Sequence, residues 1–196
     1  RDLMGNLITN EYSMPELEYL AENQWLFTEK IDGTNIRVMW NGEALTFGGK
    51  TDDAQIPALL YKRLAEIFNP QIDALKEIFK DSKEVCLYGE GYGAKIQKGG
   101  GNYRQDQSLV LFDIKIGDWW LLRKDIEDIG FNLNLEIAPI IGSGTLKDMI
   151  ALVSQGFNSK WGNFIAEGIV ARPLVELKTR KGNRIITKLK HKDFQG

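Results

Sequence analysis

The sequence predicts an α+β fold, built on antiparallel β-sheets with flanking helices. Strand-like segments outnumber helical ones along the 196 residues, and several are joined by hairpin-length turns. A doubly wound parallel sheet would instead alternate strands with crossover helices. Neither an internal repeat nor a low-complexity linker interrupts the chain. One domain over residues 1–196 is therefore the simplest organisation.

Ser13-Met14-Pro15-Glu16 reads as a helix start, with Ser13 as cap, Pro15 pre-organised for the first turn and Glu16 completing a capping box. Leu17, Leu20 and Ala21 give that helix its apolar stripe. Trp25 to Lys30 and Thr34 to Trp40 are strands by their β-branched and aromatic content. Asn41-Gly42 is a hairpin turn, and a strand from Glu43 to Phe47 follows. Ile56 to Phe68 and Ile72 to Phe79 read as helices parted by Asn69-Pro70. A strand from Glu84 to Gly89 enters a glycine-rich stretch that ends near Gly101. Ser108 to Ile116 is a long apolar strand, Leu121 to Ile129 a helix, Glu136 to Ile141 a strand and Leu146 to Gln155 a helix. Phe164 to Arg172 and Arg184 to Lys190 are the last two strands.

Apolar content of 43% and charged content of 27% are ordinary for a globular chain. The net charge of −2 argues against a polyanion binder as a whole. Charge is unevenly spread, however. Between Lys178 and Lys192 there are seven Lys or Arg residues and no acid, which suits a local phosphate or nucleic-acid site. The single cysteine, Cys86, lies in an apolar run and reads as a buried thiol, without an internal disulfide. The lone His191 argues against histidine metal sites and a Ser-His-Asp triad. No apolar run reaches membrane-spanning length, so no membrane partner is expected, and the lack of a signal peptide is one of two grounds, with the family resemblance given below, for expecting an intracellular, cytoplasmic protein.

Five segments carry candidate chemistry. The first is Glu29-Lys30-Ile31-Asp32-Gly33, where a lysine closes a strand-like run just before a turn. An amine fixed there can be a covalent nucleophile. The Lys-x-Asp-Gly match alone recurs by chance in roughly one chain in twenty-five of this size, so its weight rests on the other four. Tyr88 to Gly93 contains Glu90, a carboxylate closing a strand among glycines. Leu111-Phe112-Asp113-Ile114 lies in the long apolar strand. Glu167-Gly168-Ile169-Val170-Ala171-Arg172 has a carboxylate leading a strand. In Ile186-Thr187-Lys188-Leu189-Lys190, strand alternation puts both lysines on one face. Gly99-Gly100-Gly101 lacks the spacing of a phosphate-binding loop.

These segments, in this order, resemble the motifs of the covalent nucleotidyltransferases, which comprise ATP-dependent DNA and RNA ligases and mRNA capping enzymes. The string Glu29 to Asn35 is most similar to RNA ligases of the RNA ligase 2 type, which include the kinetoplastid RNA-editing ligases. The resemblance runs from about Thr28 to Lys190 and implies a nucleotidyltransferase (adenylation) domain, an ATP-grasp-like ligase catalytic domain. It implies that Lys30 carries AMP as a phosphoramide, that Glu29 sits by the adenine, and that Asn35 positions the phosphate or the nick. Lys50, after Gly48-Gly49, falls where the family has a basic residue contacting the ribose or the RNA end. Glu90 would hold the ribose hydroxyls, Phe112 stack on adenine, and Glu167 help bind the catalytic metal. Lys188 and Lys190 would contact the AMP phosphate and the departing pyrophosphate.

The function so implied is an ATP-dependent RNA ligase that uses ATP, as covalent AMP, with Mg2+ or Mn2+, on RNA ends or a nicked duplex. An ATP-dependent DNA ligase and a GTP-using capping enzyme share this chemistry. A non-catalytic nucleic-acid-binding module is the reading from a different class, and it predicts salt-sensitive binding without covalent nucleotide. The C-terminal accessory domain usual in such ligases has no counterpart after the lysine pair, so the chain is expected to be either an isolated catalytic domain or a minimal enzyme, with sealing that is weak or depends on a protein partner.

Overall fold

The computed structural model describes residues 7–8, 11–80 and 82–195. In chain order its elements begin with α1 (Pro15–Tyr19), β1 (Trp25–Lys30), β2 (Thr34–Trp40), β3 (Leu45–Gly48), α2 (Ala58–Phe68), α3 (Ile72–Phe79) and β4 (Val85–Gly93). They continue with β5 (Gln107–Ile116), β6 (Trp119–Trp120), α4 (Arg123–Asn132), β7 (Glu136–Ile137), β8 (Ile140–Gly144), α5 (Leu146–Gln155), β9 (Gly168–Pro173) and β10 (Thr187–Lys190). The α+β expectation holds, and every strand pair is antiparallel except β5 with β7. The elements fall into two compact units. One holds the described residues up to Ile31 and those from Pro139 onward; the other holds Asp32–Ala138.

The first unit contains a four-stranded sheet in the order β10-β9-β1-β8. Period-two alternation sends Trp25 and Phe27 of β1, and Ile169 and Ala171 of β9, to one face. There they pack with Leu17 and Leu20 near α1 and with Leu146, Met149 and Val153 of α5. The register of α5 is set at its start. Thr145 Oγ1 accepts from Asp148 N at 3.2 Å, and the Asp148 carboxylate accepts from Thr145 N at 2.8 Å. The opposite face of this sheet carries Thr28, Lys30, Arg172, Lys188 and Lys190 together with Leu26 and Val170.

The second unit is built on the sheet β3-β2-β4-β5-β6, with β7 added beside β5. Its core face carries Ile36, Val38, Trp40, Leu87, Leu109, Leu111 and Ile114, covered by Leu60, Leu64 and Phe68 of α2 and by Leu75 and Phe79 of α3. The spacing of core residues along β5 shifts between Leu111 and Ile114. There Tyr88 pairs with Asp113 while Gly89 pairs with Leu111, so Phe112 is the extra residue of a β-bulge. A bulge re-aims the side chain it carries, and Phe112 is absent from the core cluster.

Several boundaries differ from the sequence expectation, each for a physical reason. Met14, not Ser13, is the N-cap of α1, and no side chain caps it. Pro15 needs no amide partner there, so the helix starts without the capping box. β4 continues through Gly89 and Gly91 to Gly93, because β2 and β5 flank it on both sides. Ladder hydrogen bonds on two edges outweigh the weak strand preference of glycine. Glu90 consequently lies inside a strand and not at its end. The strand expected over Glu136 to Ile141 is two strands in different sheets, separated by Ala138-Pro139, where proline offers no amide to a ladder. The short strand β6 was not anticipated. Leu111→Ala and Ile114→Ala should each cost about 2–5 kcal/mol in denaturant unfolding, and Phe112→Ala less than about 1 kcal/mol. Equal losses at 112 and 114 would mean an unbroken alternation and no bulge.

Candidate active site

The central feature of the first unit is a row of three residues across three strands. Lys30 of β1 pairs with Gly168 of β9, which pairs with Lys190 of β10. The residue before Gly168 is Glu167, whose carboxylate lies between the two amines. Lys30 Nζ is 2.6 Å from Oε2, and Lys190 Nζ is 2.7 Å from Oε1. The three side chains are only 17%, 29% and 11% exposed for Lys30, Lys190 and Glu167. Such a pair is screened less than a surface ion pair and is held by charge-assisted hydrogen bonds. Gly168 makes the row possible, because a Cβ there would collide with the Leu189 carbonyl oxygen. Any side chain would pry β10 away from β9.

Alternation sorts the neighbours. Thr28 and Lys30 of β1, Val170 and Arg172 of β9, and Lys188 and Lys190 of β10 share the face opposite the apolar core. Four cations therefore stand on one face with one carboxylate, which favours an anionic ligand such as a phosphate chain. Lys188 is exposed, two residues along β10 from Lys190. Glu29 points the other way from Lys30. Its carboxylate is buried, accepting from Ser159 Oγ at 2.5 Å and from the Lys160 amide at 2.8 Å. Burial pushes the Glu29 carboxyl above its ordinary range, and the Lys160 amide and Ser159 hydroxyl only partly oppose that.

In the second unit, Asn35 of β2 and Glu90 of β4 are direct cross-strand partners on the face opposite the core. Phe112 is half-buried on the adjoining strand β5, at the bulge beside them. Lys50 is exposed in the turn beyond β3, two residues past Gly48, whose strand partner Arg37 is two residues from Asn35. Glycine is required at position 33, where a Cβ would collide with the Gly91 carbonyl oxygen. The same turn is fastened by two side chains from the glycine-rich loop. The Asp32 amide donates to the Tyr103 hydroxyl at 3.2 Å, and Gln97 Nε2 donates to the Gly33 carbonyl at 3.0 Å.

A model of the RNA ligase family matches residues 23–190. The chain belongs to the RNA ligase family. Among solved structures, it is similar to the ligand-free form of a Naegleria gruberi RNA ligase mutant, at 19% identity and a TM-score of 0.70, covering 99% of this chain and 60% of that one. Naegleria gruberi RNA ligase with pyrophosphate gives 19% identity, a TM-score of 0.70 and coverages of 98% and 59%. A mutant of the same enzyme with ATP and Mn gives 18% identity, a TM-score of 0.70 and coverages of 97% and 59%. At these identities the likeness shows a common fold. The chain spans about 60% of the length of these relatives.

Within the family frame, the first unit brings together Lys30, Glu167, Lys188 and Lys190, and the second brings together Asn35, Glu90 and Phe112. The partners of Glu29 and of the Asp32–Gly33 turn escaped the sequence reading. Ser159 lies 130 positions from Glu29 in loop sequence without periodicity. The alternation Trp25, Phe27, Glu29 was a legible sign that Glu29 and Lys30 point to opposite faces.

Gly168→Ala should lower stability by about 1–3 kcal/mol through overpacking, measured by thermal melting. Gly142→Ala, where a Cβ meets no neighbour, should change it by less than about 0.5 kcal/mol. A second expectation concerns pH. Because the folded state holds the Glu29 proton more tightly than the unfolded state, folding is favoured while that carboxyl is protonated. Its contribution declines as pH rises from the ordinary value of 4.5 through the raised folded value. Melting temperatures of the wild type should therefore fall relative to Glu29→Gln as pH climbs through that window. A constant difference would contradict the assigned burial.

Proposed function

We propose that this chain is the adenylyltransferase portion of an ATP-dependent RNA ligase, which joins 3′-OH and 5′-phosphate RNA ends through AMP carried on Lys30. The observation that carries this reading is the strand row Lys30–Gly168–Lys190 with Glu167 between the two amines, found in a member of the RNA ligase family. The Naegleria gruberi ligase that it resembles in fold is described with ATP, AMP, Mn and pyrophosphate.

The chemistry runs in three transfers. Lys30 Nζ attacks the α-phosphorus of ATP; an N–P bond forms, the bond to the β-phosphate oxygen breaks, and pyrophosphate leaves. The 5′-phosphate of RNA then takes the AMP, forming a 5′–5′ anhydride and releasing the lysine. Finally the 3′-OH of the other end attacks that 5′-phosphorus, a phosphodiester forms, and AMP departs. The first transfer needs a neutral amine, and Glu167 Oε2, at 2.6 Å, fixes where Nζ stands before the attack. Lys188 and Lys190 would neutralise the charge that develops on the phosphates. Asn35 would orient the phosphate, Glu90 the ribose hydroxyls, and Phe112 the adenine ring. Glu29 is buried with its carboxylate held by Ser159 and Lys160, so a place by the adenine would require that loop to give way. Lys50 would contact the ribose or the RNA end.

A divalent metal fits this donor set. Among the described residues no three of His, Cys, Asp and Glu cluster to make a closed cage. Mg2+ commonly keeps several waters and takes one or two carboxylates together with substrate phosphates. Glu167 is the residue that would hold it. When bound, the metal would supply charge neutralisation on the phosphate oxygens.

Incubation with α-labelled ATP and magnesium should leave acid-stable label on the wild type and none on Lys30→Ala. Label surviving on Lys30→Ala would sink the mechanism. Lys190→Ala should slow label uptake by about 10²-fold or more. GTP should leave no label, and a nicked RNA duplex should be sealed in preference to a DNA nick; the reverse would move the protein to the capping enzymes or the DNA ligases.

A further inference from the structure

A second feature lies on the sheet face that bears Asn35 and Glu90, farther along the strands. The register runs without a break across five strands there: Thr46 of β3, Met39 of β2, Cys86 of β4, Lys115 of β5 and Trp120 of β6. Cys86 is four positions before Glu90 on β4, about 13 Å at the rise of a strand. A cavity of about 310 Å³ opens at this row, lined by Met39, Cys86, Tyr88, Lys115 and, from the loop before β4, Lys83 and Glu84. That volume is at the small end of ligand sites and suits one nucleotide better than a peptide segment.

Apart from one acid, Glu84, the lining is apolar, polar or cationic, and Trp120 stands beside it, behind Tyr88 and Lys115. The Tyr88 and Trp120 rings lie 5.2 Å apart, tilted by 41°. Lys115 Nζ stands 5.9 Å from the centre of the Trp120 ring. Its carboxylate contact, Asp118 at 3.4 Å, is fully exposed and worth little in water. The Tyr88 hydroxyl is pushed up to about 12, chiefly by burial, so the ring stays neutral. Sulfur atoms from Met39 and Cys86 supply polarisable apolar surface. Flat rings and soft apolar groups beside two ammonium groups match a base and its phosphate, the combination by which proteins hold single strands without reading sequence.

We propose that this cavity holds a nucleotide of the single-stranded RNA end presented for joining, with the base against Tyr88, Met39 and Cys86 and the phosphate at Lys115 and Lys83. The proposal rests on the reading that RNA is the substrate. It adds a strand-holding site to the nucleotide-transfer residues, outside the five motif segments except for Tyr88.

The single cysteine makes the cavity directly observable. Alkylation of Cys86 by iodoacetamide, run at alkaline pH because burial raises the thiol, is followed by intact mass with and without a 5′-phosphorylated oligoribonucleotide. RNA binding is read in parallel by fluorescence anisotropy. Saturating RNA should slow alkylation about tenfold, and Lys115→Glu or Trp120→Ala should raise the RNA concentration needed by about tenfold. RNA that binds without slowing alkylation would overturn the proposal, as would equal protection by polyphosphate or an acidic peptide. Unchanged RNA binding in both variants would overturn it as well. AMP attachment, measured on the same samples without RNA, tests Lys30 alone; its loss strikes the ligase reading and leaves the Cys86 result to stand by itself.

Discussion

Glu167 is held between two lysines that come from strands on either side of it, and much of the first unit exists to keep it there. A carboxylate this little exposed pays a desolvation cost that only well-placed partners offset. Lys30 and Lys190 meet that need only while β1, β9 and β10 stay in register. A slip of one residue would turn each lysine to the opposite face. The register is fixed from the other side of the sheet, where Trp25, Phe27, Ile169 and Ala171 interlock with α5. Burial of apolar surface on one face thus sets the position of charge on the other.

The second unit follows the same division. Ile36, Val38, Leu87 and Leu111 anchor one face of its sheet, leaving Asn35 and Glu90 side by side on the other. The bulge at Phe112 is the one local departure from regular pairing in that part of β5. It frees a large ring from the core at the position where a base-stacking group is expected. Farther along the same face, the row ending in Lys115 and Trp120 repeats the pattern with softer, aromatic chemistry.

Much of this was legible in the sequence, because it rests on local pattern. The runs Trp25 to Lys30 and Thr34 to Trp40 declare strands, and Leu146 to Gln155 declares a helix; all three appear with those bounds. The ordered motifs picked out Lys30, Glu167, Lys188 and Lys190, which stand together in the first unit, and Glu90 and Phe112, which lie in the second. What escaped depends on partners distant in sequence. Ser159 and Lys160 hold Glu29 from a loop, and no periodicity announces a loop contact. The extension of β4 past Gly89 through Gly91 and Gly93 came from pairing with β2 as far as Gly91 and with β5 throughout, against local propensity. The bulge could not be read from alternation alone, since apolar residues fill both phases of the strand from Leu109 to Ile114. The break at Ala138-Pro139 has a plain local cause, and proline was the available sign.

The central claim is that one amine among several lysines on this face is the nucleophile, and that its place in the strand row selects it. Peptide mapping of the protein after reaction with ATP and magnesium addresses that claim most directly. The account predicts AMP on the peptide bearing Lys30 and on no other lysine. AMP on Lys188, Lys190 or Lys50, or no AMP on any peptide, would contradict it.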